Sequence, residues 1–207
     1  IALRLGCGDH VPGWTVMRNC ASGMQALDSA AMGLQTGRHG LVLAGGVDAL
    51  SRAPLLFPDE MVHWLAQWNQ ARTLAQRLPL LRRFRPAYFK PVIGLLKGLS
   101  DPVIGLSMGQ TAENLVHRFG LTREQLDAYS AQSHARALAA RGRSAFDEIV
   151  PLIDAKGALY ADDDGVRADS TPEKLARLKP VFDKPYGNIT AGNSSQVTDG
   201  AALLLLA

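Results

Sequence analysis

The residues around Cys20 constrain the fold more than any other part of the chain. Trp14 to Met17 has the pattern of a short buried strand, and residues 21 to about 35 have the pattern of a helix. Leu41–Ala44 is a continuous apolar run that ends at a glycine pair, which is typical of a buried parallel strand. Two strands joined by a helix of this length predict a right-handed β-α-β unit and an α/β fold.

Cys20 lies at the predicted strand-to-helix junction. The first helical N–H groups lack partners there and the helix dipole is positive, so the position favours thiolate over thiol. The small residues Ala21, Ser22 and Gly23 leave space for an acyl group, and the free N–H groups can stabilise an oxyanion. Cys20 is therefore the candidate nucleophile, with a buried structural cysteine as the alternative. Cys7, in a glycine-rich loop, is predicted to be structural or incidental.

Composition narrows the function classes. A content of 47% hydrophobic and 20% charged residues is typical of soluble globular proteins, and no apolar run is long enough to span a bilayer. Two cysteines give no disulfide framework, which favours a reducing, cytoplasmic setting. The five histidines share no metal-ligand spacing, so we expect no metal site.

Basic charge is confined to one segment. Between residues 59 and 100, seven Lys and Arg residues stand against two acidic ones, which leaves the rest of a chain of net charge +3 acidic. This local distribution argues against nucleic-acid binding. Apolar residues recur every three or four positions from Met61 to Leu78, which predicts one amphipathic helix.

The second half of the chain has clear helix signals. A helix is predicted from Thr111 to about Phe119, and a capping box at Thr122–Gln125 opens a longer one to about Arg141. Short strands are expected within 148–153 and 158–160, a short helix at Thr171, and a buried strand or helix at the end of the chain.

Four segments carry a family resemblance. In chain order they are NCASGMQA at 19–26, AGGVDALS at 44–51, MGQTAEN at 108–114, and GNITAGNSS at 187–195 with the DGAA that begins at Asp199. Together they resemble the thiolase family. That resemblance implies part of the N-terminal βαβ half-domain of a layered αβαβα architecture, with an inserted, mainly helical loop domain. It implies domains at 1–51, 52–187 and 188–207, the last returning into the N-terminal core.

The resemblance also implies a reaction. The Cys20 thiolate would accept an acyl group from acyl-CoA and pass it to CoA or to the carbanion of a second acetyl-CoA, with its backbone N–H in an oxyanion hole. By family position, Ser195 would contact the pantetheine arm, Arg167 the nucleotide end of CoA, and Met108 and Phe182 the tunnel walls. Core packing is the alternative for Met108 and Phe182. Coenzyme A is here substrate and product, not a cofactor.

Two thiolase motifs do not occur in the 207 residues: the Gly-His-Pro that supplies a base and the Cys-x-Gly-Gly-Gly that supplies a second cysteine. We therefore expect an internal portion of a thiolase, inactive in isolation. A non-catalytic thiolase-like scaffold and another condensing enzyme of the superfamily are the alternatives.

The segment 60–98 resembles the insert of thiolase β-subunits from fatty-acid-oxidation complexes. That resemblance, with its basic amphipathic pattern, predicts contact with a partner subunit or with a membrane surface. The alternative is a solvated helix packed on its own domain. The family further implies a homodimer or homotetramer. The cysteine count predicts a cytoplasmic protein, and the basic segment adds peripheral membrane association as an alternative.

Overall fold

The computed structural model describes residues 1–207 in full, and they form two units. The first comprises Ile1–Ser51 and Thr198–Ala207, and the second comprises Arg52–Val197. The domains expected at 1–51, 52–187 and 188–207 remain predictions. Residues 188–197 are grouped with the second unit in the structure.

Helices and strands follow one another in this order: α1 (Ala2–Leu5), α2 (Ser22–Gln35), β1 (Val42–Ala49), β2 (Leu55–Leu56), α3 (Asp59–Gln70), α4 (Leu74–Arg83), β3 (Val92–Ile93), α5 (Gly94–Gly98), α6 (Met108–Phe119), α7 (Arg123–Gly142), β4 (Leu152–Ile153), β5 (Leu159–Tyr160), α8 (Pro172–Leu175) and β6 (Asp199–Leu206). Short 3₁₀ turns occur at Leu50–Arg52 and Pro86–Phe89.

The sheet of the first unit is an antiparallel pair. β1 and β6 are in register from Val42 opposite Leu206 to Ala49 opposite Asp199. We expected the strand to end at the Gly45–Gly46 pair, but it continues through both residues. Because a Cβ at Gly45 would overlap the carbonyl oxygen of Ala202, the glycine permits this close strand pairing.

Three expectations for the first unit are wrong. Residues 14–17 form no strand, and Trp14 and Met17 are 57% and 86% exposed, because no segment of the chain offers this stretch a hydrogen-bonded ladder. The predicted parallel pairing with residues 41–44 is accordingly absent. The end of the chain is a strand but is not buried, since three of the four leucines of β6 are more than half exposed.

In the second unit, side-chain caps fix the starts of the neighbouring helices α6 and α7. α6 begins three residues before the predicted start because the Ser107 hydroxyl and the Gln110 side chain form a capping box. α7 begins after the predicted Thr122–Gln125 box, which is present. Gly120 ends α6 in the left-handed conformation at φ 62°, as the sequence indicated.

The basic segment forms two helices where one was predicted. Thr73 caps α4 through Gln76 and so begins a new helix after Ala71, which is buried with Met61 and Leu80. The apolar spacing from Met61 to Leu78 therefore spans a helical hairpin rather than a single helix. The Trp64 indole N–H donates to the Leu80 carbonyl at 2.9 Å and joins its two helices.

Candidate active site

Cys20 lies on a tight turn immediately before α2. Asn19 has φ 49°, a left-handed conformation that asparagine tolerates better than most residues. The N–H of Ala21 donates to the Arg18 carbonyl at 3.0 Å and the N–H of Ser22 donates to the Asn19 carbonyl at 3.1 Å. This turn leaves Cys20 exposed and unpaired in a disulfide, as an accessible nucleophile requires.

The Ser22 hydroxyl fixes the turn from the helix side. Its oxygen accepts the Arg18 N–H at 2.8 Å, and its O–H donates to the Asn19 carbonyl at 2.8 Å. The Arg18 guanidinium donates to the side chain of Gln25, one helical turn after Ser22, at 2.7 Å. These contacts bracket Cys20, so its backbone position is set by the residues on both sides.

Backbone donors are free around the sulfur. The N–H groups of Cys20, Gly23 and Met24 have no acceptor in the structure, as expected for the first turn of a helix. A Cβ added at Gly23 would meet no atom within 4 Å, so open space adjoins the turn. Free N–H donors beside open space suit a developing oxyanion.

Cys7 has a different environment. It is half-buried and free, between Gly6 and Gly8, which both have positive φ. No helix begins there, so the dipole that acts at Cys20 is missing. The second cysteine therefore offers a matched comparison for the first.

The four predicted CoA-contacting residues all belong to the second unit, whereas Cys20 belongs to the first. The Phe182 ring lies against Gly109, the residue after Met108, and no Cβ would fit at that glycine. The Met108 and Phe182 side chains are partly exposed, at 41% and 38%. Neither side chain is buried within this chain, and their contact with the pantetheine arm stays a prediction.

Ser195 and Arg167 lie on two loops that are tied to each other. The side-chain amide of Gln196, which follows Ser195, donates to the carbonyl of Gly165 at 2.6 Å. Gly165 lies two residues before Arg167, so this hydrogen bond joins the two loops. The Arg167 N–H donates to Nδ1 of His134 at 3.2 Å, while its exposed guanidinium lies 3.6 Å from Asp169. The hydrogen bond and charge of Lys174 hold the pKa of Asp169 below its usual value.

Sequence reasoning missed a buried polar network that supports these loops. Asp127 is 2% exposed and accepts from Arg123 Nε at 2.8 Å and from Asn193 Nδ2 at 3.0 Å. The Asn193 oxygen in turn accepts the N–H of Thr190, which is fully buried. Asn193 belongs to the GNITAGNSS segment, so the segment was visible in the sequence but its partner on α7 was not.

The structure offers neither a metal-binding cluster nor a membrane-spanning helix. No group of three or more His, Cys, Asp or Glu side chains is arranged to hold a metal ion. No helix combines the length and the apolar content needed to cross a bilayer.

The sequence profile of the thiolase N-terminal domain matches residues 1–207, so the chain belongs to the thiolase family. The resemblance carried by the four motifs is thereby confirmed. The α/β thiolase-like fold is confirmed by solved structures. The crystal structure of the Bacillus anthracis acetyl-CoA acetyltransferase has a TM-score of 0.80 and 38% identity, over 99% of this chain and 48% of that one.

Two further proteins show where in the family the similarity lies. The crystal structure of human mitochondrial 3-ketoacyl-CoA thiolase in complex with CoA has a TM-score of 0.79 at 30% identity, over 99% of this chain and 47% of that one. The mitochondrial trifunctional enzyme subunit beta of Bos taurus is 35% identical over 205 residues, which are 99% of this chain and 42% of that protein. The chain thus spans about half the length of the proteins it matches.

Proposed function

We propose that this chain carries the nucleophile and part of the CoA site of a thiolase that transfers acyl groups between CoA thioesters. The observation that carries the proposal is Cys20, exposed on a hydrogen-bonded turn at a helix start, in a chain that matches the thiolase N-terminal domain throughout. The names of the similar proteins, acetyl-CoA acetyltransferase and 3-ketoacyl-CoA thiolase, support this reaction class.

The first step is attack of the Cys20 thiolate on the thioester carbonyl of an acyl-CoA. A carbon–sulfur bond to Cys20 forms, the bond to the CoA sulfur breaks, and CoA leaves as its thiolate. The N–H of Cys20 donates to the oxyanion of the tetrahedral intermediate. In the second step the acyl-cysteine is attacked by a CoA thiolate, or by the carbanion that acetyl-CoA becomes when a base removes its α-proton. The carbon–sulfur bond to Cys20 breaks and the Cys20 thiolate is restored.

We assign the CoA contacts to residues of the second unit. Met108 and Phe182 offer apolar side chains for the pantetheine arm. The Ser195 side chain, on another loop of the same unit, is exposed, and its hydroxyl can hydrogen-bond an amide. Arg167 presents a guanidinium that is 69% exposed and held on an anchored loop, which suits phosphate or adenine contact at the nucleotide end.

The nucleophile is tested by mass spectrometry of the full-length protein after incubation with acetyl-CoA. We expect an acetyl adduct on the peptide that contains Cys20 and its loss in Cys20→Ser. Cys7→Ser is the matched control and should keep the adduct, since no helix begins at Cys7. An adduct on Cys7, or none in the wild type, would overturn the assignment.

We also propose that the helical hairpin of the basic segment contacts an anionic membrane surface, or else a partner subunit of a fatty-acid-oxidation complex. Its cleft of about 410 Å³ is bordered by apolar and basic side chains: Trp68, Leu74, Ala75, Arg77, Leu78 and Leu81. The Arg77 guanidinium lies 5.2 Å from the Trp68 ring centre, so the two present one basic, aromatic face. Similarity to a trifunctional enzyme beta subunit supports the partner alternative.

Co-sedimentation with vesicles separates the two alternatives. We expect binding of the full-length protein to anionic vesicles at low salt, and weaker binding of Arg82→Glu/Arg83→Glu because each reversal turns attraction into repulsion. Arg136→Glu, on an exposed face of α7, is the control that should leave binding unchanged. No binding to anionic vesicles would eliminate the membrane alternative and leave the partner subunit.

For location and assembly, we propose a cytoplasmic protein, free or peripherally membrane-associated, that forms a homodimer or homotetramer. The two unpaired cysteines suit a reducing compartment. The exposed leucines of β6 suit burial in a larger assembly. Cell fractionation and light scattering of the full-length protein would contradict this by finding it secreted or monomeric.

A further inference from the structure

The Glu113 carboxylate on α6 binds two consecutive backbone N–H groups of a distant segment. Its Oε2 accepts the Asn188 N–H at 3.0 Å and its Oε1 accepts the Ile189 N–H at 2.9 Å, both partly buried. Hydrogen bonds to an ionised carboxylate are roughly twice as strong as those between neutral groups. This pair is therefore the strongest polar link between α6 and the segment that follows residue 180.

A glycine makes the approach of the carboxylate possible. A Cβ at Gly187 would overlap Glu113 Oε1, and the Gly187 N–H instead donates to the Asp183 carbonyl at 2.6 Å. Gly187 precedes the two donors, Asn188 and Ile189. Because it has no side chain, the carboxylate fits against the turn. Gly187 and Glu113 are complementary in shape as well as in hydrogen bonding.

The segment held by Glu113 carries Phe182. The Val181 N–H donates to the Ile189 carbonyl at 2.9 Å and Pro180 bridges to Thr190, so residues 180–190 form a closed hairpin-like loop. The Phe182 ring of that loop lies against Gly109, four residues before Glu113 and thus on the same face of α6. One face of α6 therefore contacts the Phe182 ring at Gly109 and, one turn later, binds the loop backbone through Glu113.

The far side of the loop has its own anchor. Asn193 accepts the Thr190 N–H at 2.7 Å and donates to Asp127 at 3.0 Å and to the Asn188 carbonyl at 2.9 Å. These bonds do not involve Glu113. Loss of the Glu113 clamp is thus expected to loosen residues 182–189 while residues 190–193 stay attached to α7.

We infer that Glu113 is a positioning residue that holds Phe182 on α6 and thereby fixes the apolar wall against which the pantetheine arm of acyl-CoA binds, an inference that rests on the proposed function. Glu113 does not touch the ligand in this scheme. Glu113 acts through Phe182. Without its hydrogen bonds the loop is mobile, and CoA must order the loop when it binds. Its loss therefore weakens CoA binding and leaves the chemical step at Cys20 unaffected.

Amide exchange tests the clamp directly. In Glu113→Gln one carboxylate oxygen becomes an NH₂ that cannot accept, so exchange at Asn188 and Ile189 should be about tenfold faster, as loss of one charge-assisted hydrogen bond predicts. Exchange at Thr190 should change little. Glu148→Gln, at an exposed glutamate without a hydrogen-bond partner, is the matched control. Unchanged exchange at Asn188 and Ile189 in Glu113→Gln would overturn the inference.

A double-mutant cycle tests the functional consequence in the full-length protein. We expect Glu113→Gln to raise the Kd and KM for CoA about tenfold with kcat within twofold, the pattern of lost binding rather than lost chemistry. Phe182→Ala should weaken CoA binding, and adding Glu113→Gln to it should have no further effect, because Glu113 acts through the ring. A merely structural role would lower the melting temperature and the active fraction and leave KM unchanged.

The outcomes separate this inference from the function on which it rests. If the wild type binds no CoA by calorimetry, the proposed function fails and the inference fails with it. If the wild type binds CoA and Glu113→Gln binds it equally well, only the inference is overturned. Additive effects of the two substitutions would also overturn it, because Glu113 would then act independently of Phe182.

Discussion

At the scale of single residues, short polar side chains stabilise the turns of this chain. Asn19 adopts the left-handed conformation that turns the chain into α2 and exposes Cys20. Asp154 closes the loop between β4 and β5 by accepting the N–H groups of Lys156 at 2.8 Å and Ala158 at 2.9 Å. In each case a short polar side chain is placed where the backbone must reverse.

Asp154 makes the stability of its loop depend on pH. The N–H groups of Ala158 and Lys156 hold the pKa of this carboxyl below its usual value. A lowered pKa in the folded state gives stabilisation that is present above the unfolded pKa of about 4 and is lost as the pH falls through the lowered value.

NMR can follow this titration through the exposed carboxyl. We expect a midpoint for Asp154 below that of an ordinary aspartate. The protection factor of the Ala158 amide, which is its exchange rate relative to the intrinsic rate at the same pH, should fall as the pH falls through that midpoint. Asp154→Asn, which cannot ionise, should show a protection factor that does not change across this range. A constant protection factor in the wild type would contradict the assignment.

At the scale of elements, α7 organises the second unit through one ion pair. Asp127 is nearly fully buried, and Arg123 lies 2.8 Å from it on the preceding turn. The Arg123 guanidinium also donates to the carbonyl of Leu175, the last residue of α8, and to that of Leu178 in the following turn. The helix thereby connects α8 to the Thr190–Asn193 segment.

Breaking this pair should be costly. Arg123→Ala leaves the Asp127 carboxylate buried with only Asn193 as partner, and removal of one member of a buried pair destabilises by about 3 kcal/mol. Urea unfolding of the full-length protein measures the change. Arg136→Ala, at an exposed arginine of the same helix, should change stability by less than about 0.5 kcal/mol. Equal effects of the two variants would show that the pair contributes nothing.

At the scale of the whole molecule, the sheet of the first unit leaves apolar side chains uncovered. Leu203, Leu204 and Leu205 of β6 are each more than half exposed. Exposed apolar area of this kind marks surfaces that associate.

The 207 residues alone should therefore associate and lack thiolase activity. We expect the isolated chain to bind a hydrophobic dye strongly and to elute as oligomers, because β6 exposes its leucines. We also expect no CoA-dependent cleavage of acetoacetyl-CoA, since neither the Gly-His-Pro nor the Cys-x-Gly-Gly-Gly motif occurs in it. Activity of the isolated chain, measured against the full-length protein, would refute this.

Local sequence determined the elements whose stabilising contacts lie within a few residues. The Thr122–Gln125 box and Gly120 fixed the adjoining ends of α7 and α6, and the residues after Cys20 formed α2 as predicted. The four ordered motifs were enough to identify the thiolase family. In these cases the hydrogen bond or the backbone conformation that matters is encoded by neighbours in the chain.

Only the tertiary structure decided the features that depend on distant partners. The apolar pattern of residues 14–17 did not produce a strand because no ladder partner pairs with it, whereas β1 continued through Gly45 because β6 lies alongside. The spacing of apolar residues did not indicate that the helix ends before Thr73, nor that the Phe182 ring contacts Gly109. Strand pairing and ring packing are long-range contacts, so their outcome is set by the fold and not by the local residues.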